Sequence, residues 1–117
     1  MKKMIFCSAC LALMLSSCAT QEKPLYEWDN YEKASYNYYK KQTPEDTQEL
    51  LLTYAKMIGR QGKSQRKVVP PGIYAEYGFL LIQTGKKEEG LSMLKNEIEV
   101  YPESKAFIER IIKMAEK

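Results

Sequence analysis

Histidine is absent from the 117 residues, and cysteine occurs only three times. Without histidine the chain lacks the usual general base and the commonest metal ligand. No glycine-rich phosphate loop is present either, and the carboxylates of residues 88–103 fall on a charged helical face with no nucleophile motif nearby. We therefore expect no enzyme, no cofactor, no metal site and no small-molecule substrate.

The chain has little excess charge, with 18 basic residues against 15 acidic ones. Two of the basic residues are Lys2 and Lys3, so the remainder of the chain is close to neutral. A protein that binds nucleic acid usually carries a strongly basic face. We expect no nucleic-acid partner.

The first seventeen residues contain two lysines, no acid and an apolar run from Met4 to Leu15. A run of about a dozen apolar residues after a basic start is typical of a secretory signal, and it is too short to span a bilayer as a helix. Residues 1–17 are therefore predicted to be a signal peptide. Cys7 and Cys10 have the spacing of a redox or metal pair, but both lie inside this leader.

The leader ends in a four-residue motif that resembles the bacterial lipobox: Leu15, Ser16, Ser17 and Cys18. In lipoproteins with this motif, the cysteine thiol takes a diacylglyceryl group. The chain is then cleaved before the cysteine, and the new amino group is acylated, commonly with palmitate. The alternative is an ordinary secretory signal with an incidental cysteine.

Residues 18–24 are predicted to be the lipidated cysteine and a short polar tether. Ala19 stands where aspartate would mark retention in the inner membrane of enteric bacteria. By that analogy we expect a protein anchored to the bacterial outer membrane, with its body in the periplasm.

Residues 25–42 are rich in tyrosine. Helical spacing predicts one helix whose core stripe contains Trp28, Tyr31, Ser35 and Tyr38. Tyr36 and Tyr39 fall beside this stripe and are the candidate partner surface, since tyrosine is enriched in interface hot spots. The alternatives are that all of these rings pack on the core, or that some stack on glycans.

Residues 43–59 predict a second helix, with Thr43 as its N-cap and Pro44 at its first position. Residues 59–72 then form a loop that carries four bases and no acid: Arg60, Lys63, Arg66 and Lys67. These bases are candidate contacts for anionic lipid headgroups or peptidoglycan. The alternative is a solvated linker with no partner.

Three further helices are predicted in the second half. Residues 73–84 are almost wholly apolar. Periodicity alone would also allow a buried strand there. The Pro-Pro start and the Gly85 stop favour a helix. Residues 86–101 are amphipathic, and Pro102 ends them. Ser104 is expected to cap a last helix, whose apolar stripe contains Phe107, Ile108, Ile111 and Ile112. We thus predict an all-α domain over residues 25–117, with about five helices.

Residues 71–104 fit one 34-residue tetratricopeptide-like unit closed by Pro102. In that register Gly78 and Gly90 let two helices approach closely, and Gly85 permits the turn between them. Glu97 departs from the pattern, because a small residue is usual there.

Two segments of the body resemble a small family of bacterial outer-membrane lipoproteins of unknown function: Tyr26-Glu27-Trp28-Asp29-Asn30-Tyr31 and Val69-Pro70-Pro71-Gly72-Ile73-Tyr74-Ala75-Glu76-Tyr77-Gly78. Asp29 stands where the family pattern has glycine. The resemblance implies a single tetratricopeptide-like domain, with no catalytic residues. Genes of such proteins often lie near lipoproteins that resemble the curli secretion channel, which implies another envelope lipoprotein as partner.

The leading hypothesis is therefore a non-catalytic adaptor held at the membrane by its lipid. The alternative is a structural envelope protein that binds peptidoglycan or lipid through the basic loop.

Overall fold

The computed structural model describes residues 21–117, and this part of the chain is helical with no strand. The elements are α1 (Tyr31–Lys41), α2 (Pro44–Arg60), α3 (Ile73–Gln83), α4 (Lys87–Val100) and α5 (Lys105–Glu116), with short 3₁₀ turns at Gln61–Lys63 and Pro102–Ser104. The predicted all-α fold of about five helices is confirmed. The predicted signal peptide and Cys18 lie outside the described residues.

The second helix begins as the sequence predicts. The Thr43 hydroxyl accepts a hydrogen bond from the Asp46 backbone N–H at 3.1 Å, and Pro44 occupies the first turn. This cap satisfies one of the N–H groups that a helix start leaves without a partner.

The first helix begins at Tyr31, later than the aromatic segment predicts, and the placement of Trp28 in the core is wrong. Asp29 adopts a left-handed conformation with φ of 47°, and the Tyr31 N–H closes a turn onto the Trp28 carbonyl. Trp28 thus precedes the helix and stays 47% exposed. Ala34 is the residue of α1 that is buried against the core. A small side chain there allows α1 to lie close to its neighbours.

The contact between α3 and α4 is formed by two glycines, as the repeat pattern predicts. A Cβ added to Gly78 would lie 2.6 Å from the Gly90 carbonyl oxygen, and one added to Gly90 would lie 2.5 Å from that of Gly78. No side chain fits between backbones at that distance. Gly85, with φ of 91°, makes the turn between the two helices.

Glu97 departs from the repeat pattern for a structural reason. Its side chain is buried, and Oε1 accepts a hydrogen bond from the Gly72 N–H at 2.8 Å, just before α3 begins. A carboxylate is stabilised there by the positive end of the helix dipole. Glu97 therefore ties the end of α4 to the start of α3.

For the last helix, Ser104 stands at the predicted N-cap position but makes no capping hydrogen bond with its side chain, and the placement of Phe107 in the apolar stripe is wrong. The Ser104 hydroxyl donates to the Tyr101 carbonyl at 2.7 Å and caps no N–H of α5, because Ser104 belongs to the preceding 3₁₀ turn. Phe107 is exposed, whereas its neighbour Ile108 is buried. Successive helical residues point about 100° apart, and the side of α5 that faces the core runs through Ile108 and Ala115.

Helix α3 lies between two hydrophobic clusters. Ile73, Leu80 and Leu81 pack with the buried residues of α1 and α2, whereas Ala75 and Ile82 contact the cluster of Leu91, Leu94 and Ile108 from α4 and α5. Apolar residues on almost every side of α3 explain why its periodicity resembles that of a buried strand. The helix joins both halves of the domain.

Candidate partner-binding surface

The Glu76 carboxylate on α3 joins three helices through tyrosine hydroxyls. Tyr31 Oη on α1 and Tyr54 Oη on α2 donate to the same oxygen, Glu76 Oε2, at 2.8 Å and 2.9 Å. The Tyr54 side chain is buried, so its hydroxyl needs this acceptor. Hydrogen bonds to a charged group are stronger than those between neutral groups.

The tyrosines around Glu76 stay protonated at neutral pH. Burial raises the pKa of Tyr54 above its usual value, and the negative charge of Glu76 raises it further. The pKa of Tyr31 is raised by burial and by its hydrogen bond to Glu76. Burial and the Glu76 charge also raise the pKa of Tyr39. Tyr31 and Tyr54 therefore keep the protons that they donate to Glu76.

An aromatic chain runs from the N-terminal segment into the core through Tyr26, Trp28, Tyr31, Tyr54 and Tyr77. Neighbouring ring centres are 5.5–6.4 Å apart, from 5.5 Å between Trp28 and Tyr31 to 6.4 Å between Tyr26 and Trp28. Such distances are typical of favourable aromatic pairs. These contacts between rings hold residues 26–28 against the helices, although residues 26–28 are not helical themselves.

A tyrosine groove of about 200 Å³ opens beside Glu76. Its lining comes from three helices: Tyr38, Tyr39, Leu50, Tyr54, Glu76, Phe79, Leu80 and Gln83. Tyr39 is 67% exposed and Phe79 is 48% exposed. The groove therefore presents two large rings to solvent around one carboxylate.

A methionine groove of about 210 Å³ lies on the other side of Phe79, between α3 and α5. Only apolar residues line it: Phe79, Ile82, Ile111, Met114 and Ala115. Met114 is exposed, and methionine adapts its shape to different partners. Since Phe79 lines both grooves, they form one surface across α1, α2, α3 and α5, which we call the groove surface.

The two tyrosines predicted as a partner surface do not lie in the same depression of the surface. Tyr39 belongs to the tyrosine groove, whereas Tyr36, 60% exposed, lies beside Asp29 and Lys33 in a shallow polar depression. The Lys40 ammonium lies 5.3 Å from the centre of the Tyr36 ring. Of the two, Tyr39 is the one that adjoins an apolar surface.

The four predicted basic contacts are all exposed and all lie in or beside the loop between α2 and α3. Arg60 forms an ion pair with Asp29, whereas Lys63, Arg66 and Lys67 have no acid within ion-pair distance in the described part of the chain. The loop is not a free linker, because Gln61, Ser64 and Val69 within it are buried.

Comparison with known protein families assigns this domain. The family model described as "Domain of unknown function (DUF4810)" matches residues 25–111. These residues include α1 to α4 and α5 except for its end. The chain belongs to the DUF4810 family. No match was found among curated proteins or among solved structures.

Sequence reasoning missed three contributors to the groove surface of this DUF4810 domain: Glu76, Phe79 and Met114. Phe79 does carry a signal, since it is large and apolar but lies outside the helical spacing of Ile73, Tyr77, Leu80 and Leu81. Glu76 carries none, because its two tyrosine partners are 45 and 22 residues away in the chain.

Two general features of the DUF4810 domain concern residues 21–117. None of its helices is long and apolar enough to cross a membrane. Within the same residues, acidic side chains form no group of three that could hold a metal ion.

Proposed function

We propose that this protein is a lipid-anchored lipoprotein of the bacterial outer membrane that serves as a non-catalytic adaptor for another envelope lipoprotein. The lipobox of residues 15–18 supports the anchor, and the resemblance described above supports the location. Membership of a family without a known activity is compatible with this role.

The observation that carries the adaptor role is the position of Phe79. This ring is half exposed and lines two adjacent grooves, with Tyr39 beyond one and Met114 beyond the other. Large apolar side chains exposed next to one another are a feature of interaction sites. The surface suits an amphipathic helix or an extended segment with apolar anchors.

The adaptor role is tested in intact cells by crosslinking and mass spectrometry, which identify the partner, followed by pull-down with variants. Phe79→Ala and Tyr39→Ala should each weaken capture of that partner about tenfold or more, as hot-spot residues do. Leu52→Ala is the matched control, because Leu52 is also exposed but lies on α2 outside both grooves. Full capture by both groove variants would overturn the proposal.

Tyr36→Ala separates two versions of the proposal. If the exposed tyrosines of α1 bind the partner together, Tyr36→Ala and Tyr39→Ala lose it alike. If the groove surface binds it, only Tyr39→Ala does. Both variants should change the free energy of unfolding by less than about 1 kcal/mol, since both rings are mostly exposed.

The anchor is tested by metabolic labelling with palmitate. Cys18→Ser should abolish the label and leave an uncleaved or soluble periplasmic product. Cys10→Ser is the matched control and should leave the label unchanged. Equal labelling of the wild type and Cys18→Ser would show that Cys18 is not the lipidated residue.

A further inference from the structure

The basic loop between α2 and α3 is hydrogen-bonded to the start of the body. The Gln65 N–H donates to the Pro24 carbonyl at 3.0 Å, and the Arg66 N–H donates to the Leu25 carbonyl at 3.3 Å. The Gln65 side chain also donates to the Lys23 carbonyl at 2.6 Å. Three exposed bases of the loop therefore lie where the predicted tether enters the domain.

Buried polar side chains give this loop a fixed shape. Gln61 donates to the Glu27 carbonyl at 2.7 Å and accepts from the Glu27 N–H at 3.2 Å. The Ser64 hydroxyl donates to the Gln61 carbonyl at 2.8 Å and accepts from the Lys67 N–H at 3.1 Å. The loop thus holds its bases in place beside residues 23–27.

The bases are only partly balanced by neighbouring charge. Asp29 is paired with Arg60, and Glu22 and Glu27 belong to the adjoining N-terminal segment. Lys63, Arg66 and Lys67 remain exposed and have no ion-pair partner within residues 21–117. The tether itself adds Lys23 to the same region.

The predicted anchor at Cys18 is close in the chain to Lys23, whose carbonyl this loop contacts. Five peptide steps separate Cys18 from Lys23, and an extended chain advances at most about 3.6 Å per residue, so the two are no more than about 18 Å apart. The Debye length at physiological ionic strength is about 8 Å, so a tether that spans less than about half of its full extension brings the bases within range of the headgroups.

We propose that Lys63, Arg66 and Lys67 seat the tethered body on the anionic phospholipid surface in which its own acyl chains are inserted. The inference rests on the proposed lipid anchor at Cys18 and adds the orientation of the domain, with the loop between α2 and α3 facing the bilayer. Each base near an anionic surface raises the ratio of seated to unseated protein about fivefold. Acyl chains alone would leave the body free to turn.

The test uses the mature acylated protein in vesicles of phosphatidylethanolamine and phosphatidylglycerol, with a nitroxide on the headgroups as quencher. A fluorophore is attached at Gly62→Cys, where an added side chain meets no atom within 4 Å, or at Glu116→Cys, near the far end of α5. Fluorescence at residue 62 should be quenched more strongly than at residue 116. The difference should shrink in phosphatidylcholine vesicles and at about 1 M salt, where the Debye length is about 3 Å, to the smaller difference that the tether alone produces.

Charge variants show whether the loop itself is responsible. Lys63→Gln, Arg66→Gln and Lys67→Gln together should reduce the difference between the two labels to the one that the tether alone produces. The matched control neutralises three exposed lysines of α4 and the turn before it, Lys86→Gln, Lys87→Gln and Lys95→Gln, and should keep the difference.

The outcomes separate this inference from the proposed function. An acylated protein that floats with the vesicles but shows no quenching difference between the two positions, or a difference that salt does not change, overturns the orientation alone. Salt-sensitive binding to isolated sacculi without quenching at residue 62 would assign the loop to peptidoglycan and also overturn it. If mass spectrometry of the purified protein finds no acyl chain on Cys18, both the anchor and the inference fail.

Discussion

The contact between α3 and α4 and the contacts that hold α1 depend on opposite kinds of residue. Gly78 and Gly90 bring two backbones together with no side chain between them. Helix α1 is held by Ala34 and by the Tyr31 hydroxyl, which reaches across to Glu76. The first contact is a matter of shape, whereas the second depends on a hydrogen bond to a charged group. The two should therefore respond differently to substitution and to pH.

Gly78→Leu should have the largest effect, because the added side chain meets backbone atoms that cannot rotate away. We expect a loss of about 3 kcal/mol or more in the free energy of unfolding, at the upper end for overpacking. The matched control is Gly59→Ala, in a helix but with nothing within 4 Å, which should gain about 0.5–1 kcal/mol from helix propensity. Equal melting of the two variants in thermal denaturation would show that the glycine contact is not close.

Glu76→Ala tests the polar contact of α1 and α2. It leaves the buried Tyr54 hydroxyl without its acceptor, so we expect a loss of about 2 kcal/mol. Glu99→Ala, an exposed glutamate on α4, should stay within about 0.5 kcal/mol of the wild type. Urea denaturation of the two variants gives the comparison, and similar midpoints would mean that Glu76 contributes nothing to stability.

Trp28→Ala should cost about 1–2 kcal/mol, less than half of the 3–5 kcal/mol lost with a fully buried aromatic ring. The reason is that Trp28 is half exposed and contacts mainly the neighbouring rings of the aromatic chain. Leu94→Ala, at a fully buried position of the second cluster, should cost more. A larger loss for Trp28→Ala in the same urea series would place the tryptophan in the core after all.

Tyr31→Phe should have the smallest effect at neutral pH, about 0.5–1 kcal/mol, since it removes one hydrogen bond near the surface. Its signature appears in alkali. The folded-state pKa of Tyr31 is raised above the value of about 10 that it has when unfolded, so its contribution is present below pH 10 and is lost at higher pH. Above pH 10 the wild type should therefore lose stability more steeply than Tyr31→Phe, and parallel curves would contradict this.

The contacts differ in how well they could be predicted from the sequence. The glycine contact was predictable because both residues belong to one helical hairpin, where a fixed repeat spacing sets which positions face each other. The cap at Thr43 was predictable for the same reason, since it involves neighbours in the chain. Trp28 was misplaced because helical periodicity does not show where a helix begins, and the turn at Asp29 starts α1 only at Tyr31.

By itself, the sequence determined the helical class and the α3–α4 hairpin, because both depend on residues close together in the chain. Only the tertiary structure decided that Phe79 joins two grooves, that Tyr31 and Tyr54 share one oxygen of Glu76, and that the basic loop lies against residues 23–25. These contacts join segments 22 to 45 residues apart. Their partners are selected by how the helices pack, which no local pattern specifies.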